Sequence, residues 1–260
     1  MKKFVWIISI GITLFACHSS NQEQALQPAV EPVEATKDLM AYLRYERDFV
    51  QLARTFKAYD TLGKPMPIEQ FLSTVANGQY FPLRVNAHDS SLAYQLYPIQ
   101  YQANEEMQGY IRSQGDLYLS RYKRLGSPIP TFNYTDLNNQ AFNNENLKDN
   151  IVWIKTWFIS CKPCIEEMPY LDELKSKYAN QPNIQFLALA FDKREALEKF
   201  QEKRHFSFNV IPVTQQYLAD SLQANIFPSH YLYKNNRLMG ISHEAKEMAA
   251  LLNDVLHEKN

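Results

Sequence analysis

The residues with the clearest capacity for chemistry are two thiols three positions apart, Cys161-Lys162-Pro163-Cys164. Before them, Ile151 to Phe158 is apolar enough to be a buried strand. After them, Ile165, Met168, Leu171 and Leu174 recur at helical spacing as far as Tyr178. A thiol at such a junction meets helix amides that have no intrahelical partner, and the positive end of the helix dipole. Both favour thiolate over thiol, the form that reacts with disulfides. Cys161 is therefore expected to be the exposed, attacking sulfur. Cys164, one turn further in, is placed to resolve the mixed disulfide. Pro163 suits a first turn because its missing N–H costs nothing there. Lys162 adds a positive charge beside the nucleophile.

Two other uses of the pair stay open on these residues alone. A structural zinc site needs four ligands, and neither a second cysteine pair nor a His-x₃₋₅-His spacing among His205, His230, His243 and His257 supplies them. An inert bridge is also conceivable, although so short a loop gains little from cross-linking.

The elements that must position this pair follow from periodicity. Leu125 to Pro130 is a break with two prolines and a glycine. Beyond it, strands at 151–158, 184–191 and 208–213 alternate with helices at 161–178, 194–204 and 216–222. A hairpin at 230–233 and 238–241 turns around Asn235-Asn236, and a helix at 244–257 closes the chain. That alternation predicts an α/β domain with a mixed sheet. Ahead of the break, 36–59 has helical spacing. A second helix starts at Pro67 and stops at Gly78, and 108–124 is helical. Runs at 80–85 and 92–101 read as strands. Most of the 16 tyrosines lie in this half; they read as packing of a small domain, with a binding surface as the alternative.

Composition narrows the class. The chain has 260 residues, a net charge of −1 and only 7 glycines. There is no basic field for nucleic acid and no glycine-rich phosphate loop. Met1-Lys2-Lys3 followed by the apolar stretch 4–16 reads as a signal peptide. Its end, Leu14-Phe15-Ala16-Cys17, resembles a bacterial lipobox, which makes Cys17 the candidate lipidation site. Residues 17–35 read as a flexible tether.

The segment Trp157-Phe158-Ile159-Ser160-Cys161-Lys162-Pro163-Cys164-Ile165-Glu166-Glu167-Met168-Pro169 resembles the active-site segment of TlpA/ResA-like thiol-disulfide oxidoreductases. So do Gly126 to Phe132, Thr135-Asp136-Leu137 and Leu147-Lys148. The likeness spans residues 125–257. It implies a thioredoxin-like mixed sheet flanked by helices, here preceded by a smaller, mainly helical N-terminal domain over 36–124. It also implies that Pro228 is a cis-proline facing the cysteines and that Phe227 offers its backbone to substrate; a trans-proline opening a strand is the plainer alternative. Trp157, Lys162 and Pro163 would border the substrate. Glu167 would be an acid near Cys164, managing its proton if burial raises its pKa, where bare helical spacing suggests a solvated face. Lys155 falls where thioredoxins carry a buried acid, a departure that calls for another proton route.

The implied function is reduction of client-protein disulfides on the periplasmic side of a bacterial cell membrane. Apocytochromes awaiting haem are among the clients of such proteins, electrons come from a membrane thiol donor, and Cys17 carries the lipid anchor. The redox-active disulfide Cys161–Cys164 is the only redox group called for, with no cofactor, metal or nucleic acid. Two alternatives are a ligand-binding lipoprotein that uses the domain as scaffold, and a peroxide reductase. The latter class sets its cysteine after Thr-x-x, which Phe158-Ile159-Ser160 does not supply.

Overall fold

A computed structural model describes residues 26–87, 89, 91–99 and 105–257. The stretch read as a signal peptide, and Cys17, lie outside these residues. The first part of the chain runs β1 (Gln27–Pro28), α1 (Pro32–Ala35), α2 (Leu39–Phe49), β2 (Lys57–Tyr59), α3 (Ile68–Val75), β3 (Tyr80–Asn86), β4 (Ala93–Pro98) and α4 (Glu105–Tyr122). Helix outweighs strand here, yet the core is built on a four-stranded sheet of order β1-β3-β4-β2.

Two expectations change. The tether ends before Ala35, because Gln27–Pro28 pairs with Val85–Asn86 and Ala35 is buried against α2. The helix expected over 36–59 stops at Phe49. Val50 turns to an extended backbone, and Lys57–Tyr59 joins β4 in parallel, with Phe56 and Ala58 packed inward. Pairing with a strand over thirty residues away decides this, and helical spacing carries no trace of it. The tyrosines mainly pack: Tyr42, Tyr45 and Tyr94 are buried, and Tyr45 donates to the Pro82 carbonyl at 2.6 Å.

The second part follows with β5 (Asn133–Thr135), β6 (Ala141–Asn143), α5 (Asn144–Leu147), β7 (Ile151–Trp157), α6 (Lys162–Glu166), α7 (Met168–Lys177), β8 (Ile184–Ala190), α8 (Arg194–Lys203), β9 (Asn209–Pro212), a π-helical turn at Tyr217–Ser221, β10 (Ser229–Lys234), β11 (Arg237–Ser242) and α9 (Ala245–His257). Its five-stranded sheet has the order β11-β10-β7-β8-β9. β7, β8 and β9 are parallel, while β10 and β11 run antiparallel. This is the thioredoxin-like arrangement. The hairpin turns through Asn235 and Asn236, both at positive φ (51° and 58°). Asparagine tolerates that region, and a two-residue turn needs it to match strand twist.

Both faces of the sheet are covered, so every residue of β7 is buried. Alternation then sorts its side chains. Trp153 and Trp157 enter the core under α6, α7 and α9, and Val152 and Ile154 enter the opposite one. Lys155 shares the first face and lies directly opposite His230 in the antiparallel register.

The two parts are joined by specific contacts. Glu247 of α9 accepts the Ala53 amide at 2.8 Å, and Arg54 forms a two-pronged pair with Asp254 at 2.7 and 2.9 Å. The break after α4 adds to the sheet: Gly126 N–H bonds the Leu238 carbonyl, and Leu238 N–H bonds that of Ser127.

Candidate active site

The single helix expected from 161 to 178 is two. Pro169 cannot donate to the carbonyl four residues back, so the chain kinks at Glu167 between α6 and α7. Cys161 is the N-cap of α6, with extended backbone, and its sulfur accepts the Cys164 amide at 3.3 Å. The two cysteines form a disulfide. Cys161 is 5% exposed and Cys164 fully buried. The order of access is as expected, but Cys161 shows far less surface than the word exposed suggests. The loop ahead of it is pinned, since the Ile159 amide donates to Asp192 at 2.9 Å.

Lys162 points outward, 85% exposed at its side chain, with Glu166 at 3.7 Å. Its influence on the sulfur is correspondingly screened. Trp157 does not border the substrate: it is fully buried and packs on Phe200 and Phe206. Strand alternation turns its ring under α8 rather than toward the opening.

The Phe227–Pro228 bond is cis. The Phe227 ring meets Phe158, close before the cysteines, edge to face at 5.5 Å. Neither the amide nor the carbonyl of Phe227 is hydrogen-bonded to any described residue. Beside it, Ile226 is 49% exposed. The loop thus presents free backbone and an apolar side chain.

Beneath the cysteines lies a polar network that sequence reasoning only half found. Lys155, buried completely, donates to the Cys164 carbonyl at 3.0 Å and to the carboxylate of Glu167. His230, also buried, meets Glu167 at 3.2 Å. Trp153 Nε1, which can only donate, reaches His230 Nδ1 at 3.1 Å. The imidazole therefore carries its proton on Nε2 and gives it to Glu167.

The electrostatics reverse one expectation. Burial does push the Glu167 carboxyl up, but the His230 hydrogen bond and the Lys155 charge outweigh it and hold the group below its ordinary value. Glu167 is ionised rather than a proton reservoir. Burial lowers Lys155, with Glu167 opposing. His230 is lowered for the same reason, again against Glu167. Of the three side chains, Glu167 alone retains solvent contact, at 16%. It borders a cleft of about 550 Å³ that also touches Arg47, Tyr170 and Glu244. His230 was legible in principle, since it lies two residues before Leu232 on the same face; nothing local linked it to position 167.

Fold and site together define a thioredoxin-like redox domain with a Cys-x-x-Cys disulfide. The AhpC/TSA family model matches residues 125–239. A thiol-disulfide oxidoreductase ResA of Bacillus cereus is 32% identical over 103 residues, covering 39% of this chain and 59% of its own length. A ResA of Bacillus thuringiensis is 28% identical over 125 residues, covering 48% and 72%. A solved thiol:disulfide interchange protein from Bacteroides sp. superposes with a TM-score of 0.45 at 20% identity, covering 52% of this chain and 93% of its own. Residues 125–239 thus match the AhpC/TSA family model, and the stretch around the cysteines is similar in sequence to the ResA thiol-disulfide oxidoreductases. The chain spans 59% of the Bacillus cereus relative's length, and residues before 125 fall outside the matched family segment.

Proposed function

We propose that this protein is an extracytoplasmic thiol-disulfide oxidoreductase that reduces disulfides in client proteins. The observation that carries the reading is the Cys161–Cys164 disulfide at the N-cap of α6, with the Cys164 amide directed at the Cys161 sulfur. That amide stabilises a thiolate at Cys161 once the bond is reduced. Relatives named thiol-disulfide oxidoreductase, aligned over the redox domain, support the same activity.

The steps balance as follows. The Cys161 thiolate attacks one sulfur of a client disulfide, forming a mixed disulfide and releasing the client's other sulfur as a thiolate, which takes up a proton. Cys164 loses its proton and attacks the Cys161 sulfur. The client leaves fully reduced, and the Cys161–Cys164 bond carries the two-electron oxidation. A membrane thiol donor restores the dithiol by the reverse exchange. In this scheme Lys155 is the group beside Cys164 whose proton burial loosens, and Glu167 with His230 holds it in place. Phe227 and Ile226 receive the client, whose extended backbone pairs with the free amide and carbonyl of Phe227.

Cys17 is the proposed lipid anchor and residues 36–124 and 125–260 are the proposed modules, set on the periplasmic side of a bacterial membrane. Apocytochromes are one client class that fits, because their cysteines must be reduced before haem attaches. The residues Phe158-Ile159-Ser160 ahead of Cys161 favour disulfide exchange over peroxide reduction.

The test is capture of clients by Cys164→Ser in native envelope extract, with insulin reduction by the unaltered chain alongside. Mixed disulfides through Cys161 and measurable turnover are expected. An empty trap together with no turnover would remove the enzymatic reading and leave a binding lipoprotein.

A further inference from the structure

The network around His243 has one consistent proton arrangement, and it reaches from the N-terminal part of the chain to the cis-proline loop. Arg121, on α4, is 8% exposed, and its guanidinium is hydrogen-bonded to His243 Nε2. A guanidinium has donors only. Nε2 must then be the accepting nitrogen, and the proton sits on Nδ1. That nitrogen lies 3.0 Å from the Pro228 carbonyl and 3.1 Å from Ser229 Oγ. The Ser229 hydroxyl already gives its hydrogen to the Ile226 carbonyl at 2.7 Å, so its oxygen can only accept from His243. All four contacts agree on one tautomer.

The rest of the surroundings fits. Burial first, and then the Arg121 charge, holds His243 down to about 4, so the ring is neutral at ordinary pH. His230 is the other titratable group facing it, while Glu247, Tyr118, Tyr231 and Arg124 face Arg121. The Arg121 side chain also lines a cleft with Ile226, His243 and Glu244. Ser229 is held on its far side by mutual hydrogen bonds with Thr156 on β7 at 3.2 Å. Pro228 has no N–H of its own, so its carbonyl is the one backbone handle it offers.

We propose that Arg121 is a positioning residue for the redox site: it fixes His243 as the neutral Nδ1–H tautomer, whose proton holds the Pro228 carbonyl and so sets the loop on which a client docks. The N-terminal module thereby acts on the site of the thioredoxin-like domain through two side chains. The proposal rests on the reading of Ile226–Pro228 as the client-facing loop, and the measurements below separate the two.

The first measurement is the imidazole ¹⁵N signature of His243 in the unaltered full chain, which is expected to show the proton on Nδ1. A proton on Nε2 overturns the proposal without any variant. The second uses Arg121→Met and the double variant Arg121→Met, His243→Asn. An asparagine amide occupies the place of Nδ1 and donates to Pro228 without needing an arginine to choose a tautomer. Amide exchange at Ser229, whose N–H is held by Thr156, is expected to quicken by about tenfold in the single variant, the loss of one hydrogen bond, and to recover in the double. Unchanged exchange, or no recovery, overturns the proposal.

The third measurement is insulin reduction by the same samples. KM is expected to rise by about tenfold in Arg121→Met with kcat within twofold, as a loss of docking rather than of chemistry predicts. The reduction potential of Cys161–Cys164 is expected to stay unchanged. If the unaltered chain reduces no insulin and Cys164→Ser traps no client, the enzymatic reading fails, while the tautomer and exchange measurements still decide the role of Arg121.

Discussion

Lys155 Nζ lies 3.0 Å from the carbonyl oxygen of Cys164, on a strand whose seven residues are all buried. An ammonium beneath the resolving cysteine, paired with a carboxylate at the kink of α6 and α7, is an unusual charge to bury. Removing one member of such a pair leaves the other uncompensated, which typically costs about 3–5 kcal/mol.

Lys155→Met is therefore expected to lose roughly 3 kcal/mol in urea denaturation. It should also raise the Glu167 carboxyl, because the cation holding it down is gone, and shift ionisation of Cys164 to higher pH. Stability within experimental error of the unaltered chain, with the same thiol titration, would contradict the account of this network.

The two cysteines should separate cleanly in alkylation. With Cys164→Ser, the remaining Cys161 is expected to react with iodoacetamide along a titration whose midpoint falls below the ordinary thiol value of about 8.5. With Cys161→Ser, the fully buried Cys164 should react at least about tenfold more slowly at the same pH. Equal rates would mean that the helix N-terminus does not distinguish the sulfurs.

His243 makes a prediction about acid stability. Its folded pKa is depressed to about 4 from an ordinary 6.5, by burial and by Arg121. The unfolded chain thus binds the proton first as pH falls. The stabilisation is complete above 6.5 and is lost between 6.5 and about 4. Comparing the chain with His243→Asn isolates this contribution from the carboxylates. The difference should amount to ~2 kcal/mol over that window, allowing for partial solvent contact. A flat difference would show that the ring is not held neutral.

Gly240 marks a close approach of the two parts of the chain. A Cβ there would stand 2.5 Å from Leu251 Cδ2 and 2.7 Å from the Ala53 carbonyl oxygen. The leucine can swing away, but the backbone carbonyl cannot. Gly240→Ala is expected to destabilise the chain by about 1–3 kcal/mol. It should also loosen the Ala53–Glu247 hydrogen bond, visible as faster exchange at the Ala53 amide. An alanine variant as stable as the parent would mean the junction is compliant.

Much of the redox domain could be read from local pattern. The strand–Cys-x-x-Cys–helix junction, the helices at 194–203 and 245–257, and the turn at Asn235-Asn236 all express short-range rules of periodicity and turn chemistry. The α6–α7 break was missed although Pro169 announced it, because the apolar spacing continues across the kink. The start of β2 was missed because only its partner at Ala93–Gln95 makes Lys57–Tyr59 a strand.

What the amino-acid order determined by itself is the pairing of Cys161 with Cys164 at a helix start and which of them is nearer that start, since both follow from three residues of spacing and the direction of a helix. Only the tertiary structure decided that Lys155, Glu167 and His230 share one buried pocket, that Glu167 is ionised there, and that Arg121 reaches the cis-proline loop through His243. These groups come from separate strands and helices, and their charges depend on burial and on partners that no stretch of sequence contains.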